Sequence, residues 1–196
     1  LGHALTSRGR KVILLDANLV TPNLAIQLGF VNPQGTVNKF LRKEKQLKEI
    51  IYMHESGVSI IPASPSYSEF QKTNPQQLTE VFEHLDEMAD FVLIDSAAGL
   101  GEEARAAIDA CDEIIIVTNP EMPAITDALK SVKVARAMGK EVKGVMVTRH
   151  KGARYQMPLS SIKSMLETQI IGVIPEDKSV KEALNLRDAV VHTHPR

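Results

Sequence analysis

Several features that would place a chain in a specialised class are missing from this sequence. It contains one cysteine, Cys111, so a disulfide framework is excluded, and so is an intrachain metal site built from several cysteines. No apolar run approaches the roughly 18 residues of a membrane-spanning helix. The formal net charge is −1, so no overall basic field indicates a nucleic-acid-binding protein. The cysteine content fits a reducing, cytoplasmic setting.

The composition is that of an ordinary globular protein. Of the 196 residues, 43% are hydrophobic and 24% are charged, and no internal repeat or low-complexity segment interrupts them. A chain of this length buries about 70% of its unfolded surface when it folds, which is enough for one sizeable core. We therefore expect one domain over residues 1–196.

Short apolar runs rich in Val and Ile recur along the chain. Several are apolar at consecutive positions, which favours strands of a parallel sheet covered on both faces. The predicted strands are Lys11–Leu15, Val58–Ile61, Phe91–Ile94, Glu113–Val117, Lys143–Val147 and Ile170–Ile174.

Helical patterns lie between these runs. The spacing of apolar residues predicts helices over Pro75–Met88 and Ala124–Met138, a third that starts near Pro158 and a fourth after Asp177. Strands that alternate with helices indicate an α/β fold, with a doubly wound, mostly parallel sheet and helices on both faces.

Ligands of such sheets bind at the carboxyl ends of the strands. Asp16 and Asp95 each end a predicted strand, where a carboxylate is well placed to hold Mg²⁺ directly or through water. Gly99 follows Asp95 by four residues and has no Cβ to keep a phosphate from its N–H group. Either aspartate alone would more often be a turn or capping residue. Two strand-end aspartates in one parallel sheet make a phosphate and metal site as good an interpretation as turn or capping residues.

The remaining strand ends form the rest of the same rim. The sequences Thr118-Asn119-Pro120-Glu121, Thr148-Arg149-His150 and Pro175-Glu176-Asp177 follow the fourth, fifth and sixth predicted strands. Asp177 also has the position of a residue that caps the next helix.

Four segments in order resemble the MinD/ParA family of deviant-Walker P-loop ATPases, and within it the MinD branch. They are GRKVILLDANLVTPNLAIQLGF, DFVLIDSAAGLGEEARAAIDACDEIIIVTNPEMPAITDA, GVMVTRH and IIGVIPEDKSVKEALNLRDAVV, and together they span nearly the whole chain. The pieces TNPE and VIPED are more typical of MinD than of plasmid-partition relatives.

The resemblance implies roles for several residues of the rim. It implies ATP and Mg²⁺ as cofactors, with Asp16 near the metal and the attacking water, and Asp95 as the Walker B aspartate. Gly99 would sense the γ-phosphate. An adenine pocket would be lined by Thr148, Arg149, Pro175, Glu176 and Asp177.

The sequence departs from the family pattern in several places. No G-x-x-x-x-G-K-[ST] phosphate loop is present, nor is the strand that leads into one. Asn18 stands where relatives have a second catalytic aspartate, and it can bind water but cannot take its proton. Ala97 replaces a common proline, and Thr148 replaces an asparagine that reads adenine in many relatives.

These departures lead us to expect truncation at both ends. A first strand, a phosphate loop and part of a helix would account for about 25 residues upstream of Leu1. At the other end, MinD proteins usually carry a membrane-targeting segment beyond the point where VVHTHPR stops. His192 and His194 near that end are expected to be solvated rather than metal ligands.

The function implied is an ATPase switch in spatial regulation of cell division. It would form a homodimer in the ATP state, recruit a protein partner of division-regulator type, and be cytoplasmic with possible peripheral contact at the inner face of the membrane. One alternative is a non-catalytic interaction module that has lost the phosphate loop. Another is a ParA-like DNA partition ATPase that uses a basic helix face, which is formed by Lys130, Lys133, Arg136 and Lys140; without interleaved aromatic residues this face is more simply a solvated one.

Overall fold

The structure is a computed structural model that describes residues 1–85 and 87–195. Its helices are α1 (Gly2–Thr6), α2 (Leu24–Gln27), α3 (Val37–Leu41), α4 (Tyr67–Gln71), α5 (Leu78–Leu85), α6 (Glu102–Ala110), α7 (Met122–Ala137), α8 (Leu159–Leu166), α9 (Lys178–Asn185) and α10 (Val190–Thr193). Short 3-10 turns cover Leu47–Glu49 and Pro75–Gln77. The strands are β1 (Val12–Asp16), β2 (Tyr52–Met53), β3 (Ser59–Ile61), β4 (Phe91–Asp95), β5 (Glu113–Thr118), β6 (Glu141–His150) and β7 (Ile170–Pro175).

The chain divides into two compact units. The first contains Leu1–Ala110 and the C-terminal stretch from Ser179, and the second contains Cys111–Lys178. The sheet of the first unit has the order β2-β3-β1-β4, with β1 parallel to both β3 and β4 and β2 antiparallel to β3. The sheet of the second unit has the order β5-β6-β7 and is entirely parallel.

Strand β1 is buried along its whole length, as its unbroken apolar sequence predicts. Successive side chains of a strand point to opposite faces of the sheet. Ile13 and Leu15 pack with residues of α3, α5 and α6, whereas Val12 and Leu14 pack with Leu5 of α1 and Leu24 of α2. Helices therefore cover both faces of the first sheet.

The sheet of the second unit packs one face against helices. Ile116 of β5 and Val145 and Val147 of β6 form a cluster with α7 and α8. The alternate residues of β5 are open, since Ile115 is 43% and Val117 is 64% exposed. Within its own unit, β1 is thus covered on both faces, whereas β5 packs against helices on one face.

The α/β fold class is confirmed, with every predicted strand present and the boundaries shifted by a few residues. Strand β6 is longer than expected, because it continues through Thr148 and Arg149 to His150. Of the helix predicted over Pro75–Met88, the structure has α5 over Leu78–Leu85 after a 3-10 turn at Pro75–Gln77, and Glu87 takes a left-handed backbone conformation with φ of +71°. Met88 consequently lies outside the helix.

Among residues 1–85 and 87–195, no helix combines the length and the apolar character needed to cross a bilayer.

Candidate functional site

Two carboxylates meet at the carboxyl end of the first sheet. Asp16 is the last residue of β1 and Asp95 the last of β4, and the parallel register pairs them directly. The N–H of Ala17 donates to the carbonyl oxygen of Asp95 at 2.9 Å, so the pairing continues one residue past the strand. The expectation that two strand-end aspartates share one edge of the sheet is met within this unit.

The carboxylate of Asp16 is buried and holds the following loop. Asp16 is 1% exposed, and its two carboxylate oxygens accept hydrogen bonds from the N–H groups of Asn18 and Leu24, both at 3.1 Å. Burial, together with the negative charge of Asp95, raises the pKa of Asp16 to about 7 despite these hydrogen bonds. A positive charge placed between the two carboxylates would favour the ionised form of Asp16 and lower its pKa again.

Asp95 is more open than its partner. Its side chain is exposed, and partial desolvation by the protein around it raises its pKa. Water reaches this carboxylate and screens its charge. The pair thus combines one buried carboxylate with one that a ligand in solution can reach.

Asn18 is engaged within its own loop. Its Oδ1 accepts the N–H of Thr21 at 3.0 Å, and its Nδ2 donates to Thr21 Oγ1 at 3.1 Å. The side chain therefore closes a turn between β1 and α2, and its proposed contact with a hydrolytic water stays a prediction.

Gly99 lies in the loop after β4 and has a left-handed backbone, with φ of +92°. A Cβ at this position would meet no atom within 4 Å, so it is the backbone conformation and not the available space that requires glycine here. The same lack of neighbours leaves the backbone of Gly99 open to a ligand.

In the second unit, Thr148 and Arg149 lie within β6, near its carboxyl end, rather than in a loop after it. The hydroxyl of Thr148 donates to the carbonyl oxygen of Thr118 at 3.1 Å, which ties β6 to the end of β5. Its oxygen lone pairs stay available as acceptors. Arg149 is exposed and has φ of +54°, and its carbonyl oxygen accepts from Gln156 Nε2 at 3.1 Å.

The predicted residues at the end of β7 lie beside those of β6. Pro175 pairs in register with His150, and the N–H of Glu176 donates to the His150 carbonyl oxygen at 3.1 Å. Asp177 directly precedes α9, where a capping residue is expected. Within each unit, the candidate residues of neighbouring strands are therefore brought to one edge.

The basic helix face is largely engaged in structural contacts. Arg136 Nη2 donates to the carbonyl oxygen of Glu167 at 2.8 Å and to Thr168 Oγ1 at 3.0 Å. Lys140 donates to the carbonyl oxygen of Cys111, and Lys130 pairs with Asp127 at 3.1 Å. Of the predicted patch, Lys133 is left as an exposed cation for which no such contact is seen among the described residues.

Sequence reasoning missed a cluster of histidines in the first unit. His3, His54 and Asp188 come together from distant parts of the chain, and His192 joins them through a 2.5 Å contact with Asp188. His192 is exposed, as expected near this end of the chain, and its ring also contacts Asp188. Residues this far apart carried no common spacing that could have revealed the group.

Comparisons with known proteins decide the family. Residues 1–147 match the family described as an AAA domain. The chain is 33% identical to an uncharacterized ATP-binding protein of Methanocaldococcus jannaschii, over all of this chain and 74% of that protein. This chain belongs to the MinD/ParA family of P-loop ATPases.

Solved structures of MinD proteins share its fold. The septum site-determining protein MinD of Pyrococcus horikoshii, complexed with Mg-ADP, superposes with a TM-score of 0.93 at 31% identity, over 100% of this chain and 81% of that one. The MinC:MinD cell division protein complex of Aquifex aeolicus gives a TM-score of 0.85 at 26% identity, over 97% and 79%. The MinD-like fold inferred from the four sequence segments is thereby confirmed.

Proposed function

We propose that this chain works as an ATP-driven switch of the MinD type, with its metal site at Asp16 and Asp95. The observation that carries the proposal is the direct pairing of these carboxylates at the carboxyl ends of β1 and β4. Ligands of parallel sheets bind at this edge. A buried carboxylate with a pKa raised to about 7 beside a second carboxylate is an arrangement that a cation stabilises.

The donor atoms in this pair suit magnesium. Mg²⁺ takes oxygen ligands, keeps several waters and uses one or two carboxylates beside phosphate oxygens. Asp95, which is exposed, would bind it, and Asp16 would do so directly or through water. When bound, the metal supplies positive charge that neutralises phosphate oxygens.

The candidate residues at the strand ends of each unit would divide the work of nucleotide recognition. Gly99, with open space at its backbone, would bring its N–H close to the terminal phosphate. Asn18 would orient the hydrolytic water, in exchange for part of its bonding to Thr21. Thr148, Arg149, Pro175, Glu176 and Asp177 would contact the adenine, and their place at the ends of β6 and β7 supports this role.

The switch would act through two loops, Asp16–Pro22 and Asp95–Gly101, held in one state by ATP and released by hydrolysis. We propose that the ATP state is a homodimer that recruits a protein partner in spatial regulation of cell division, with peripheral contact at the inner face of the membrane. The MinC:MinD complex of Aquifex aeolicus supports a division-regulator partner. The contacts of Arg136 and Lys140 within the fold weaken the alternative of a DNA partition ATPase.

ATP turnover and oligomeric state test this proposal in the full-length protein. We expect magnesium-dependent release of phosphate, and a dimer with ATP that light scattering detects and that returns to monomer as ATP is consumed. The Asp95→Asn variant should lose both properties, whereas Asp127→Asn, which removes an exposed carboxylate on α7, should keep them.

Absence of ATP binding in a folded full-length protein would contradict the proposal and favour the non-catalytic interaction module. ATP-dependent, salt-sensitive DNA binding that is lost on reversal of the charges of Lys133 and Arg136 would instead favour DNA partition.

A further inference from the structure

The histidine cluster of the first unit lies outside the proposed nucleotide site. It is built from His3 on α1, His54 just after β2, Asp188 between α9 and α10, and His192 on α10. His3 and His54 are each 8% exposed, and the side chain of Asp188 is 12% exposed. Polar side chains this far from water need partners, since an unsatisfied buried polar group costs free energy.

The cluster converges on one carboxylate oxygen. Nε2 of His54 lies 3.6 Å and Nε2 of His3 lies 3.9 Å from Oδ1 of Asp188. Both distances exceed those of hydrogen bonds. Nε2 of His3 is fully buried, and no hydrogen-bond partner for it is found among residues 1–85 and 87–195. Two imidazole nitrogens therefore face one oxygen without a good bond to it.

These spacings suit ligands that share a metal ion. The donor atoms of His3, His54 and Asp188 all lie within 4.8 Å of one another. Ligands about 2.0–2.1 Å from a tetrahedral Zn²⁺ are about 3.3 Å apart, so the two nitrogen–oxygen distances of 3.6 and 3.9 Å would each shorten by a few tenths of an ångström on binding. Imidazole and carboxylate ligands are a common donor set for zinc.

We propose that His3 Nε2, His54 Nε2 and Asp188 Oδ1 form a zinc site. Three protein ligands leave a fourth tetrahedral position for water. Glu55 lies nearby, in a second set with Asp188 and His192 whose donor atoms also fall within 4.8 Å, but it is exposed, as is His192 at 38%. The buried set with the unpartnered His3 nitrogen is therefore the one assigned.

Further contacts orient the ligands. His192 Nδ1 lies 2.5 Å from Oδ2 of Asp188, the oxygen not assigned to the metal, while Oδ1 also accepts the N–H of Ala189 at 2.6 Å. His54 Nδ1 lies 2.8 Å from Ser56 Oγ. His54 Nδ1 also accepts the N–H of Ser56 at 3.1 Å in this structure. A metal on Nε2 would move the ring proton to Nδ1, which would give up that bond and donate to Ser56 Oγ instead. Metal-bound histidines are held in this way by partners on their second nitrogen.

The site would fasten the C-terminal segment to the rest of the first unit. Its ligands come from the first helix, from the turn between β2 and β3, and from the stretch that leads into α10. Zinc would therefore stabilise the docked position of α10. A ligand that binds the folded state and not the unfolded state shifts the equilibrium toward the folded state.

Zinc binding to the full-length protein tests the proposal, in buffer without nucleotide or phosphate. After addition of Zn²⁺ and dialysis, we expect about one zinc per chain by elemental analysis, and a rise in Tm that a chelator reverses. Co²⁺ in its place should give the visible absorption of a four-coordinate ion. The conservative variants His3→Gln, His54→Gln and Asp188→Asn should each lose stoichiometric binding. His192→Ala should weaken it about 10–100-fold, as loss of an orienting partner does.

The controls separate this site from the nucleotide site and from general histidine chemistry. His84→Ala removes an exposed histidine elsewhere, and Asp16→Asn alters the proposed magnesium site; both should keep one zinc. Wild-type protein that retains no zinc and shows no change in Tm would overturn the proposal, leaving a histidine–aspartate ion-pair cluster only. Zinc retained at full affinity by folded variants of all three ligands would overturn it as well.

Discussion

Asp16 and Asp95 face each other across the parallel pairing of β1 and β4, one buried and one open to solvent. Each strand is a short apolar run that ends in its aspartate, and the register places those ends side by side. Burial, and then the negative charge of Asp95, disfavour ionisation of Asp16 and raise its pKa. The free energy of unfolding of the metal-free protein should therefore depend on pH.

The first prediction concerns the pH dependence of unfolding in magnesium-free buffer. The pKa of Asp16 is raised from 3.8 to about 7, so between these values the folded state binds more protons than the unfolded state. The free energy of unfolding should therefore fall as the pH rises from about 4 to 7, by at most about 4 kcal/mol. Urea unfolding at a series of pH values measures this slope.

The Asp16→Asn variant should flatten that pH profile. The two oxygens of Asp16 accept the N–H groups of Asn18 and Leu24, and asparagine replaces one of these oxygens with an NH2 group. The substitution therefore affects stability at every pH through these hydrogen bonds, and only the change in slope reports the lost titration. Asp127→Asn, which replaces an exposed carboxylate, should leave the profile unchanged. An Asp16→Asn profile as steep as that of the wild type would show that other groups cause the dependence.

A second prediction separates strain from function at Gly99. Gly99 and Gly139 have φ of +92° and +72°, and a Cβ at either would meet no atom within 4 Å. Alanine at each position should therefore lower stability by about 1–2 kcal/mol through backbone strain alone. Only Gly99→Ala should also weaken ATP binding, which a fluorescent ATP analogue can measure. Equal nucleotide binding by the two variants would argue against a phosphate contact at Gly99.

A third prediction tests the core of the second unit. Ile125 of α7 is fully buried against β5 and β6, whereas Met122 on the same helix is 55% exposed. Ile125→Ala should lower the free energy of unfolding by about 2–5 kcal/mol, and Met122→Ala by less than about 0.5 kcal/mol. Urea denaturation of both variants provides the comparison, and similar losses would contradict the described packing.

A fourth prediction concerns the contacts of Arg136. Its guanidinium bonds to the carbonyl oxygen of Glu167 and to Thr168 Oγ1, and so links α7 to the segment after α8. Arg136→Ala should cost about 1 kcal/mol of stability, while Lys133→Ala on the same helix should have almost no effect. Thermal unfolding checks both. An Arg136→Ala variant as stable as the Lys133→Ala variant would show that the hydrogen bonds of Arg136 contribute little to stability.

The sequence was informative where structure is local and periodic. Apolar runs predicted every strand except β2, which is two residues long and pairs antiparallel with β3. That Asp16 and Asp95 lie at the same edge of one sheet followed from general rules for parallel sheets, whereas their direct pairing came from the structure. The continuation of β6 through Arg149 was missed, because polar residues at a strand end resemble a loop.

Contacts between distant segments were beyond the reach of the sequence. His3, His54 and Asp188 belong to elements whose proximity depends on how α1, β2 and α10 pack, and no motif spacing connects them. The open face of β5 was hidden for a similar reason. Apolar residues at successive positions show what a strand is able to bury but not which face a helix covers.

Magnesium dependence of nucleotide affinity tests the central claim most directly. Calorimetric titration of the full-length wild type with ATP should show affinity that rises strongly with Mg²⁺. The Asp95→Asn variant should lose this dependence, and Asp127→Asn should retain it. A folded Asp95→Asn variant that binds ATP with the full magnesium dependence of the wild type would contradict the assignment of the metal site to Asp16 and Asp95.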